Sequence, residues 1–208
     1  MVVTFRLVAY ETPLWSTPNF SGGRYNYPGD GWTQYLSLHP MTPWAELLRN
    51  QDRRDRDRAL MLRPPLWALK IDLEEDPLEL SFDRADDFDL TAEDLVADDH
   101  GPCREFAQRL REESDGPRAF IAPSAALPGT RNLVLLDPFA PVSFEMEPVA
   151  PEDLPIAMAA QDGRCPEGLW DLVHYRGSPN PHPALVAWHD GDEFEFVEPE
   201  VTSASLVA

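Results

Sequence analysis

Over residues 2–10 the chain is rich in β-branched and aromatic side chains, which predicts a first strand with Arg6 on the same face as Thr4 and Val8. Residues 14–31 are dense in Gly, Pro, Ser and Asn and predict a loop, with Tyr25 and Tyr27 among its aromatics. A second strand is predicted over 33–38. A helix should follow, with Thr42 as N-cap, Pro43 at the first helical position and no breaker from Trp44 to Asn50. Arg and Asp alternate over 51–58, the pattern of a solvated helical extension. Residues 66–73 read as a strand, and 74–99 are strongly acidic, with a helix start at Thr91-Ala92-Glu93-Asp94.

The clearest helix runs from about 102 to 113. Cys103, Phe106, Ala107 and Leu110 recur at helical spacing, while Arg104, Glu105, Arg109 and Glu112 face out. Gly116-Pro117 ends it, and short strands are predicted over 118–122 and 132–136. The composition changes near Phe139. Beyond it stand a proline-rich stretch, a helix candidate over 153–161, and three strand-like runs at 169–175, 184–189 and 193–197. Asp190-Gly191 is a hairpin signal between the last two, and 201–208 reads as a loose tail. The expected organisation is an α+β domain over 1–144 and a small β-rich extension over 145–208.

Composition narrows the function classes. With 43% apolar residues the chain can fill a core without metal or disulfide support. Cys103 and Cys165 share no short-spaced Cys/His pattern, and the five histidines form no metal-ligand pairs, so no metal site is expected. The first twenty residues lack a signal-peptide pattern, and no run reaches the length of a membrane span. A cytoplasmic protein with free thiols is the expectation. A net charge of −20 argues against general nucleic-acid binding and requires any anionic ligand to find a locally basic site. Walker A, GxGxxG and nucleophile-elbow patterns are absent from the sequence.

Three features carry candidate chemistry. Arg6 interrupts an otherwise apolar strand; taken alone, it is an edge-strand arginine with its head in water. Gly22-Gly23 lets a ligand approach the main chain, and Arg24 beside it offers a planar fork of donors suited to phosphate, with Tyr25 and Asn26 next in line. Taken alone, that unit is a surface turn. Glu46 lies in or just beyond the first turn of the helix that follows Tyr35-Leu36-Ser37, where an acidic residue also suits the helix dipole.

The order of these features resembles the RES-domain family: Arg6, then Gly22-Gly23-Arg24-Tyr25-Asn26 with Pro28-Gly29, then Tyr35-Leu36-Ser37, then Glu46. Ala122-Pro123-Ser124-Ala125 and the run 131–138 are similar to that family's closing segment. The resemblance implies an ADP-ribosyltransferase-like mixed core around an NAD cleft. It implies NAD as substrate, with water or inorganic phosphate as acceptor, and no true cofactor. The activity implied is that of an NAD glycohydrolase or phosphorylase, the toxin of a bacterial toxin–antitoxin pair blocked by a helix-turn-helix antitoxin.

Carried over by residue, the resemblance makes Arg6, Arg24 and Glu46 the catalytic set. Gly23, Tyr25, Asn26, Tyr35, Ser37 and Ser124 are the implied NAD-binding positions. Leu7 stands where the family often has an aromatic, and no hydroxyl precedes Cys103 in His100-Gly101-Pro102. These departures keep open an NAD-binding or interaction module without turnover, and the same cleft with a different acceptor would give a protein ADP-ribosyltransferase. The oligomeric state is open as well.

Overall fold

The computed structural model describes residues 2–8, 22–30, 32–50, 61–62, 64–73, 75–113, 116–136, 142–148, 158 and 165–200. The expected extension over 51–58, most of the helix candidate over 153–161 and the tail over 201–208 lie outside them.

Among the described residues, seven strands form one sheet: β1 (Val2–Leu7), β2 (Thr33–Ser37), β3 (Leu66–Leu73), β4 (Leu78–Glu79), β5 (Ala119–Pro123), β6 (Arg131–Leu136) and β7 (Val142–Pro148). Their order is β4-β5-β6-β2-β1-β3-β7, antiparallel throughout except for the parallel β4–β5 pair. β1 is therefore an interior strand, not an edge. The helices are α1 (Thr42–Arg49), α2 (Gly101–Glu112), α3 (Leu169–Leu172) and α4 (Pro183–Asp190), with a 3-10 helix over Phe82–Phe88. The α+β class stands.

Register divides the sheet into two faces. Side chains alternate along each strand, and directly paired residues point the same way. Ser37 pairs with both Phe5 and Asn132, and Tyr35 pairs with Val134. These residues share the face on which the helices pack. There α2 buries Cys103, Phe106, Ala107 and Leu110 against Phe120, Val134 and Leu136, as its spacing predicts. On the same side α1 buries Met41, Trp44, Ala45 and Leu48. The opposite face carries Leu36, Leu69, Ile71, Leu133 and Leu135.

The C-terminal segment departs from expectation. The boundary at 144 falls inside β7, which pairs with β3. The expected β-rich extension is instead helical, with α3 and α4 where strands were predicted, and 193–197 takes no regular form. In 169–175 the buried positions are Leu169, Trp170, Val173 and Tyr175. Leu169, Trp170 and Val173 fit a helical turn, and they join Met158 and Cys165 in the cluster built on α1. Gly191 does not close a hairpin. It sits at φ +80 as the C-cap of α4, and its N–H reaches Ala187 and Trp188 carbonyls. One left-handed glycine serves either role, and local sequence does not choose between them.

Two cap expectations are also corrected. Met41 is the N-cap of α1, and the Thr42 hydroxyl donates to Thr130 Oγ1 at 2.9 Å rather than capping. Thr91 and Asp94 exchange capping-box hydrogen bonds, yet 92–96 forms only turns.

Candidate functional site

Glu46 lies on α1 beyond its first turn, half-buried, facing the ends of β2 and β6. Its Oε1 accepts from Ser124 Oγ and from Asn132 Nδ2, each at 3.1 Å. Asn132 is oriented in turn by Ser37, whose hydroxyl donates to Asn132 Oδ1 at 2.9 Å. Ser124 is nearly fully buried and accepts from the Ala126 and Leu127 N–H groups. One carboxylate oxygen is thus fixed by two donors that are themselves held, while Oε2 has no hydrogen-bond partner among the described residues. A surface contact from Glu46 to Arg49 would have suited a purely solvated role. Arg49 instead is 5% exposed and turns inward.

Arg49 ties the site together. Its Nη1 donates to the Ala125 carbonyl at 2.6 Å and the His174 carbonyl at 2.5 Å, and its Nη2 pairs with Asp98 at 2.7 Å. Burial lowers its pKa first, and the Arg24 charge adds to that, while Asp98 and Glu46 oppose it. The charges of Arg24 and Glu46 therefore both bear on the same buried guanidinium.

The glycine turn places Arg24. Gly23 N–H donates to the Asn26 carbonyl at 3.0 Å, leaving Arg24 and Tyr25 at the tip. A Cβ on Gly23 would lie 2.4 Å from the Tyr35 hydroxyl, so only glycine fits there. That hydroxyl accepts from Tyr25 N–H at 2.9 Å and donates to Asn26 Oδ1 at 2.8 Å. Burial, ahead of all else, raises the Tyr35 pKa. Arg24 sends its fork to the Asp94 and Ala97 carbonyls, at 3.2 and 2.7 Å. Both acceptors are neutral, so the charge of Arg24 is positioned without being cancelled.

Two sequence-predicted residues sit elsewhere. Arg6 pairs with Trp67 and donates to Gln34 Oε1, on the sheet face of Leu36 and Leu69. Ser37 and Asn132 are on the other face, so the structure does not bring Arg6 to Glu46. Tyr25 is 3% exposed and edge-packed on Phe120 at 4.8 Å. It packs in the core, which departs from the expectation of Tyr25 as an NAD-binding position. Glu46, Arg24, Ser37, Tyr35, Asn26, Gly23 and Ser124 remain on one side of the sheet.

Sequence reasoning missed Asn132, Arg49 and the surroundings of His100. Burial lowers the His100 pKa to about 4, reinforced by the charges of Arg24, Arg176, Arg104 and Arg49. Of these four arginines Arg176 is in direct contact with the ring, its Nη2 lying 3.2 Å from His100 Nε2, in a chain of net charge −20. Among the described residues no group of three or more His, Cys, Asp or Glu is arranged to hold a metal ion. No helix there is long and apolar enough to cross a membrane.

The RES domain family model matches residues 4–158. The chain belongs to the RES domain family. The matched stretch includes Arg24, Glu46, Ser124 and Asn132, and it ends before α3 and α4. Among solved structures, the RES chain is similar in fold to a chain of the crystal structure of the M. tuberculosis MbcT–MbcA toxin–antitoxin complex. That similarity has a TM-score of 0.50 at 18% identity, covering 73% of this chain and 85% of that one. No curated protein matches the chain.

Proposed function

We propose that this RES protein is the toxin of a bacterial toxin–antitoxin pair and acts by cleaving the nicotinamide–ribose bond of NAD. The reading rests on family membership, and one observation supports it above the rest. Glu46 has one carboxylate oxygen anchored by Ser124 and Asn132 and the other unengaged among the described residues.

Departure of nicotinamide leaves positive charge on the ribose. A fixed carboxylate beside C1″ stabilises that charge without having to reorganise. In this reading Arg24 lies along the pyrophosphate, its fork preset by two backbone carbonyls. Tyr35 and Asn26 shape the glycine turn that carries it. Arg6 has no direct role, because it lies on the other sheet face. Water as acceptor gives ADP-ribose, and inorganic phosphate gives its 1″-phosphate; the enzyme is accordingly a glycohydrolase or a phosphorylase. We read the mixed sheet as ADP-ribosyltransferase-like and the natural partner as a helix-turn-helix antitoxin that closes the cleft.

The test is NAD consumption by the purified chain, with and without phosphate. Glu46→Gln should keep the fold and most NAD binding while lowering turnover about 100-fold or more, the scale of one lost charge-stabilising group. Near-normal turnover by this variant would overturn the role of Glu46. Label transferred to macromolecules from radiolabelled NAD would replace the reading with protein ADP-ribosylation.

A further inference from the structure

The family match ends at residue 158, yet the segment beyond it reaches the candidate site. Tyr175 is buried in the α1 cluster, and its hydroxyl donates to the Trp170 carbonyl. Gly177 is held from the opposite side, its N–H donating to Asp98 Oδ2 at 2.6 Å. The turn between them is closed by Ser178 N–H on the Tyr175 carbonyl at 3.2 Å, with Gly177 at φ +67. That conformation suits the third place of a type II turn, where glycine is favoured. One residue earlier, His174 N–H donates to the Ala126 carbonyl at 2.9 Å, and its own carbonyl accepts from Arg49. The backbone around Arg176 is thereby fixed to α1, to the loop after Ser124 and to Asp98.

Arg176 itself is exposed, and its Nη2 donates to His100 Nε2 at 3.2 Å. Guanidinium has no acceptor, so His100 meets it as the neutral tautomer. Among the described residues Arg176 has no carboxylate partner. Arg24 and Arg104, the other open guanidiniums of the group, are also satisfied by backbone carbonyls, Arg104 through Gly23 at 2.8 Å. Of these four arginines only Arg49 has a carboxylate partner among the described residues, Asp98. Like charges gathered without counter-charges repel one another, and a phosphate oxyanion would relieve that cost with charge-assisted hydrogen bonds.

We infer that Arg176, supplied by the C-terminal segment, completes with Arg24 and Arg104 a binding site for a phosphate oxyanion. This rests on the NAD reading for its biological meaning but not for its measurement. The oxyanion has two sources, the pyrophosphate of the dinucleotide or inorganic phosphate as acceptor.

The experiment titrates the full chain and its Arg176→Ala and Arg176→Glu variants with inorganic pyrophosphate and with inorganic phosphate by calorimetry. NAD kinetics are then measured at several phosphate concentrations. Wild type should bind one or both anions, and Arg176→Ala should weaken that binding about tenfold, the scale of one charge-assisted contact. Arg176→Glu should abolish it. Arg176→Lys should restore part of it, and thermal midpoints should stay together, because the guanidinium is exposed. A raised KM for NAD at unchanged phosphate dependence assigns the pyrophosphate. A raised phosphate requirement alone assigns the acceptor. Anion binding that is absent in wild type, or equal in wild type and Arg176→Ala, overturns the inference. If the wild-type chain consumes no NAD yet binds anions through Arg176, the NAD reading fails and the inference stands.

Discussion

Glu46 has one carboxylate oxygen anchored and the other unengaged among the described residues, and the residues behind it set that arrangement. Asn132 donates to Glu46 Oε1 and is itself oriented by Ser37. Each such hydrogen bond to a charged group contributes about 1.5–3 kcal/mol. On the proposed NAD reading, Asn132→Ala should therefore lower kcat about tenfold or more with little change in KM, since the arginines assigned to the pyrophosphate are untouched. Steady-state kinetics decide this: a raised KM at full kcat would make Asn132 a binding residue instead. The same comparison separates Ser124, whose hydroxyl also accepts two backbone N–H groups and so carries structural weight. Asn132 drew no attention in the sequence because an asparagine on a strand has no spacing signature. It is recognised only once β6 is placed beside β2.

At the scale of elements, α1 matters through both of its ends. Its sequence predicts a helix, but Arg49 at the last turn decides what that helix touches. The buried guanidinium serves the Ala125 and His174 carbonyls and Asp98. Replacement by Leu would strand two carbonyls and remove a paired charge, so Arg49→Leu should cost about 2–5 kcal/mol. Urea unfolding reads this as a lower midpoint at unchanged slope. A change below about 0.5 kcal/mol would mean that water replaces every contact. The C-terminal elements show the limit of local pattern. A short run such as Leu169–Leu172, apolar but for Asp171, fits strand or helix equally well, and packing against α1 selects the helix.

The whole molecule carries −20, a self-repulsion that acid relieves, and His182 works against that relief. This histidine, 3% exposed with neither ring nitrogen hydrogen-bonded among the described residues, has its pKa lowered to about 3. Burial is the main cause, followed by the charges of His174 and Arg49. Its folded pKa lies below the unfolded value near 6.5, so between the two the unfolded chain binds the extra proton. Stability should therefore fall as pH drops from about 6.5 toward 3, losing roughly 2 kcal/mol from this group by pH 5. Urea midpoints at pH 7 and pH 5, for wild type and His182→Phe, test it. The variant should lose less stability across that interval, and equal losses would remove His182 as the cause.

Local pattern determined most of the elements that could be checked: the early strands, α1, the apolar stripe of α2, and the strands on either side of Ser124. It also set the family order in which Arg24, Glu46 and Ser124 occur, because motifs are linear. The tertiary structure decided which of those residues meet. Arg6 has the spacing of the family pattern but lies on the sheet face away from Ser37, since Phe5 and not Arg6 lies opposite Ser37. Asn132, Arg49, His100 and Arg176 come from four separate parts of the chain, and no spacing rule connects them. A strand's alternation fixes which of its residues share a face, but only strand pairing fixes which of them lie on the face toward Glu46.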